Sequence, residues 1–142
     1  MNGPVWKMGQ KPCRVKKTSE SWTEGLTQIF EAVLENKPFI MNVYRNVDRE
    51  RIENYLFKLT YDLIVGVVEE KSKGLNITEE DKKFIADFYK YGFVGIMLEW
   101  IREGMKENIE DLVRMMDLTL HDTVTTSIHN FQQNIMEKNT EI

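Results

Sequence analysis

The stretch FIADFYKYGFVGIMLEWI, residues 84–101, decides the fold. It contains no proline, its apolar residues recur at threes and fours, and Thr78 followed by Asp81 marks a helix start ahead of it. Gly104 marks the stop, because glycine tolerates the left-handed conformation that commonly closes a helix. The spacing predicts one long helix. Phe84, Ile85, Phe88, Tyr91, Ile96, Leu98 and Trp100 fall on more than one of its faces, so it needs apolar neighbours on several sides.

Outward from it the same period continues in both directions. Toward the N-terminus, Asp48 caps a segment whose stripe is Ile52, Tyr55, Leu56, Leu59, Leu63 and Val67, closed near Lys71 to Lys73 by Gly74. Residues 63–68 are rich in β-branched side chains, but they lie inside this continuous stripe, and length favours helix over strand. Earlier still, Trp22, Leu26, Ile29, Phe30, Val33 and Leu34 form a stripe after a capping pair, Ser21 and Glu24. Pro38 breaks it and suits the first turn of a short second helix with Ile40, Val43, Tyr44 and Val47 inward. Toward the C-terminus, Asn108 caps a seam of Ile109, Leu112, Met116, Leu120, Val124, Ile128, Phe131 and Ile135. That pattern predicts a single last helix of about 28 residues, roughly 42 Å long. The fold class expected is all-α, an antiparallel bundle of about five helices spanning residues 20–142, behind an irregular segment 1–19.

Composition fits one packed domain. The 142 residues are 42% hydrophobic and 30% charged, a balance that excludes disordered and collagen-like chains. No apolar run approaches the ~20 residues of a membrane span, and no secretory signal opens the chain, so a cytoplasmic location is expected. Cys13 is the only cysteine, which excludes an internal disulfide and a multi-cysteine zinc site. The net charge of −4 is uneven: residues 1–17 carry +5, so the remainder carries −9. An acidic body is a poor partner for phosphate backbones, whose binding draws on Lys and Arg.

Enzyme signatures are largely missing. Gly92 and Gly95 sit inside a helix rather than after a strand, so no phosphate-cradling loop is present. The residues three before His121 and His129 are Leu118 and Thr126, which excludes the Glu-x-x-His pairs of di-iron bundles. Asp117 and His121 are four apart on one helical face, and two ligands alone make a weak metal site. No catalysis, metal or cofactor is expected. Phe30, Phe39, Tyr44, Tyr55, Phe57, Tyr61, Phe84, Phe88 and Tyr89, with Met41 and Met97, suit the lining of a pocket for an apolar small molecule; they equally suit an aromatic-rich core. The surplus apolar surface of residues 84–101, with Gly92 and Gly95 permitting close backbone approach, points to a partner helix, by default that of a second copy.

The run Phe88 to Gly104, with its aromatic, Gly92, Gly95, Trp100-Ile101 and Gly104 order, followed by Asn108-Ile109-Glu110-Asp111-Leu112, resembles the C-terminal domain of TetR-family transcriptional regulators of the type common in Firmicutes. The resemblance covers about residues 20–136. It implies a domain that dimerises through its last two helices and binds an inducer among the others, while a separate helix-turn-helix head reads DNA. Residues 1–19 are too short for such a head, so DNA is not expected to be bound directly by this chain. On that reading the ligand contacts are assigned to Phe30, Tyr44, Tyr55, Leu59, Phe88 and Met97. The homodimer interface is assigned to Gly92, Gly95, Ile96, Glu99, Met116, Leu120 and Val124. The alternatives are a helical dimerisation or protein-interaction module without ligand, and a small helical enzyme or metal protein using Asp117, His121 and their neighbours.

Overall fold

Proline, glycine and short polar caps punctuate this chain into helices. The computed structural model describes residues 22–140. The basic segment 1–19, Ser21, Cys13 and the side chain of Val47 lie outside the described residues. The first helix, α1, spans Trp22–Glu35 and buries Leu26, Ile29, Phe30 and Val33, while Leu34 stands on its exposed side. Asn36 ends it: its Nδ2 donates to the Ala32 carbonyl at 2.7 Å. Pro38 then sits in the first turn of α2, Lys37–Asn42, which runs without interruption into a π-helical turn, Val43–Val47.

Asp48 breaks the helical path with an extended φ of −150°, and its carboxylate accepts from the Arg51 backbone N–H at 3.2 Å, capping α3, Arg49–Lys71. Gly74, at φ +76°, turns the chain toward α4. Thr78 Oγ1 accepts from the Asp81 N–H at 3.0 Å and opens α4, Glu79–Arg102, with Glu79, Glu80 and Asp81 in the first turn where the helix dipole favours acids. Gly104, at φ +92°, closes it, and the Met105 N–H reaches back to the Trp100 carbonyl at 2.8 Å.

The expected long last helix is divided in two. Asn108 caps α5, Ile109–Leu120, as expected, but the chain bends at His121 and Asp122 before α6, Thr123–Thr140. Asp122 takes a left-handed φ of +60°, which Asp tolerates better than most residues. The apolar seam hides this bend because Leu120 and Val124 stay at helical spacing across it. Thr123 Oγ1 donates to the Leu120 carbonyl at 2.9 Å and holds the corner.

The bundle is all-α, and the helical stretches expected from the sequence are all present. α3 and α4 lie along each other as its central pair, with α1 packed on α3 and α5, and α6 against α3 and α4. One continuous core joins them, including Phe30 and Leu26 from α1, Leu56 and Leu63 from α3, Val94, Met97 and Ile101 from α4, Val113 from α5 and Ile128 from α6. Each large side chain fully withdrawn from water contributes about 1.5–3 kcal/mol. Trp100 meets Phe30 edge-on at 5.1 Å and anchors the loop after α4 by donating from Nε1 to the Glu107 carbonyl at 3.1 Å.

Candidate functional site

α4 cannot bury itself all round in so small a bundle, and the structure shows which face is left over. Phe84, Phe88, Gly92, Gly95, Ile96 and Glu99 are all exposed, and their spacing by threes and fours makes them one stripe along α4. Phe88 is 67% exposed. Beside the stripe, α5 exposes Met115 and Leu118. A groove of about 330 Å³ runs between the two helices, walled by Phe88, Ile96 and Met115 and floored by Met116 and Leu120. A Cβ built at Gly92 or Gly95 meets no atom within 4 Å, so nothing in the single chain requires glycine at either position.

A second cavity, of about 280 Å³, opens where the start of α1, the end of α3, the middle of α4 and the α5–α6 bend converge. Its apolar walls include Trp22, Ile64, Val67 and Phe93, and its polar wall includes Lys71, Asp117 and the exposed pair His121 and Asp122, whose Nε2 and Oδ2 lie 3.3 Å apart. Tyr89, Phe93 and Leu120 line this cavity and the α4/α5 groove alike. Tyr89 also carries its hydroxyl to within 3.4 Å of the Ser127 hydroxyl, linking α4 to α6.

On the opposite side of α4 a charge network ties it to α3. Lys82 Nζ lies 3.1 Å from Glu79 and 3.4 Å from Glu69, and its pKa is raised above the usual lysine value, mainly by the hydrogen bond to Glu79, against the opposing effect of burial. Asp87 accepts from Lys83 at 2.7 Å and Lys90 at 3.1 Å; the Lys83 hydrogen bond is the chief cause holding its carboxyl below the usual range. Lys90 also stands over the rings of Phe57, Tyr61 and Tyr91 at 4.6–5.6 Å. These charges are satisfied within the chain.

The six residues assigned to ligand contact are not brought together. Phe30 and Met97 lie wholly inside the core, where Met97 Sδ accepts from the Thr60 hydroxyl at 3.9 Å. Tyr44 packs beneath Arg49, whose guanidinium stands 4.7 Å over its ring. Tyr55 and Leu59 are half-buried on α3, and Phe88 stands on the outer face of α4. Of the seven residues assigned to an interface, Gly92, Gly95, Ile96 and Glu99 share the exposed stripe, Met116 and Leu120 line the groove, and Val124 lines the other cavity. Missing from both sets were Trp22, Lys71, Phe93 and Met115. Their signal was weak, because each reads as an ordinary core or surface position until four separate elements are placed together.

Among the described residues no group of three or more His, Cys, Asp or Glu gathers to hold a metal ion, and Asp117 and His121 instead share the cavity wall. No helix among them is long and apolar enough to cross a membrane.

The all-helical domain thus carries an apolar groove between α4 and α5 and, beside it, an open cavity that shares Tyr89, Phe93 and Leu120 with the groove. Residues 20–122 match the model of the TetR-type transcriptional regulator C-terminal region, and the chain belongs to that family. None of the curated proteins compared with it matches significantly.

Proposed function

We propose that this chain is the effector-sensing and dimerisation domain of a TetR-type regulator and carries out no catalysis. The observation that carries the reading is the α4/α5 face. Phe88, Ile96, Met115 and Leu118 leave large apolar side chains in water on adjoining helices, and two glycines lie on the α4 stripe where the single chain has no use for them. A second copy of the same face, related by a two-fold axis, would cover the groove, with the glycines letting the helices approach closely. In this arrangement Gly92, Gly95, Ile96 and Glu99 contact the partner and Met116 and Leu120 back them from below.

The cavity at the α5–α6 bend is the place for an effector. It lies directly behind the dimer face, and the three residues common to both give a physical route for its occupancy to bias the pairing of two copies. Only a ligand with different affinities for two arrangements can shift their populations, so the effector must reposition Tyr89, Phe93 or Leu120 to act. Operator DNA is read by a helix-turn-helix head and not by these helices.

Sedimentation of the purified chain over a dilution series tests the reading. The expected result is a dimer that Gly95→Leu converts to monomer with the helical content kept. A chain that stays monomeric at high micromolar concentration overturns dimerisation through this face.

A further inference from the structure

The cavity behind the dimer face carries more information than its size. We infer that it takes a small dipolar aromatic molecule, with a cationic end toward Asp117 and an anionic end toward Lys71, a claim that rests on the effector-sensing reading. Both residues line the cavity, both are partly withdrawn from water, and neither forms an ion pair among the described residues. His121 and Asp122 line the same cavity, 3.3 Å apart, but both side chains are largely exposed, so water screens them. One free positive and one free negative charge therefore face the same space, on α3 and α5 respectively, without meeting each other.

Aromatic rings line the same cavity. Trp22 and Phe93 lie parallel, their planes 3° apart, and Tyr89 adds a third ring. The volume of about 280 Å³ lies at the small end for ligand sites. It suits one ring system with a short charged side chain, the size of an aromatic amino acid. A ligand with a single charge would satisfy one residue and strip water from the other without replacing it, which penalises binding; a zwitterion satisfies both. This is selection by the cost of leaving a partly desolvated charge without a partner.

Calorimetric titration of the intact chain with L-tryptophan, tryptamine, indole-3-acetate and indole tests the inference, since the four share a ring and differ in charge. Tryptophan is expected to bind at least about tenfold more tightly than each of the others. Lys71→Met should remove its advantage over tryptamine, and Asp117→Asn its advantage over indole-3-acetate, with both variants melting like the parent. Indole binding as tightly as tryptophan overturns the dipolar inference and leaves effector sensing standing. No binding by any of the four at millimolar concentration also overturns it, while the sedimentation result continues to judge the domain's role separately.

Discussion

The indole of Trp22, the first residue of α1, stacks on the ring of Phe93 in the middle of α4, with centroids 5.8 Å apart and planes 3° from parallel. This stack ties the first described turn of α1 to the middle of α4. Both residues also line the cavity. Trp22→Ala should destabilise the fold by about 2 kcal/mol, below the 3–5 kcal/mol of a fully buried tryptophan because the ring is only half-buried. Trp22→Phe should recover more than half of that loss. Urea unfolding of the two variants reads the difference, and equal stability in both would show that the stack contributes nothing.

Phe88→Ser separates folding from association. The ring is 67% exposed in the single chain, so its loss should change the stability of an isolated protomer by no more than about 0.5 kcal/mol. Across a dimer interface it would be an aromatic anchor, and its removal should weaken self-association at least about tenfold. Sedimentation velocity and circular dichroism on one sample give both numbers. A large fall in helicity would place Phe88 in the fold and not at an interface.

How far the sequence could be read follows from which physical signals are local. α4 was legible to within a residue because its start and stop are local chemistry: Thr78 caps the Asp81 N–H, and Gly104 adopts a left-handed turn. The bend at Asp122 was not legible, because the apolar period passes through it unbroken from Leu120 to Val124 and neither glycine nor proline marks it. The exposed stripe of Gly92, Gly95 and Ile96 was readable as surplus apolar surface. The cavity was not. Periodicity tells which side chains face inward but not where packing leaves space, and Trp22, Lys71, Phe93 and Asp117 come from four helices.

The charge cluster on α4 sets a pH dependence whose sign can be worked out. The Asp87 carboxyl is held below its usual pKa by the hydrogen bond from Lys83, reinforced by Lys90 and opposed by burial. A depressed carboxyl contributes stability above its unfolded pKa, roughly 3.9, and loses it as the pH falls through the folded value. Lys83 is largely exposed, so solvent screening keeps the contribution small. Asp87→Asn should therefore lower stability slightly at pH 7, and the gap from the parent should close as the pH falls below about 4. Denaturant midpoints across that range check it; a gap that widens in acid would contradict the assignment.

The corner between α5 and α6 rests on one residue in an unusual conformation. Asp122 sits at φ +60°, where a side chain ordinarily costs roughly 1–2 kcal/mol and Asp somewhat less. Its contact with His121 is exposed on both sides and worth little. Asp122→Gly should thus stabilise the chain, by up to about 1 kcal/mol, since glycine adopts this conformation without strain. Asp122→Val should destabilise it by about 1–2 kcal/mol, because a β-branched side chain is least at ease there. Thermal unfolding of the pair reads the order directly. If Val were tolerated and Gly were not, the left-handed corner would not hold in solution, and α5 and α6 would form the continuous helix that their shared apolar seam suggests. The cavity wall built from Asp117, His121 and Val124 depends on that corner, so the Val variant should also weaken whatever ligand the cavity binds.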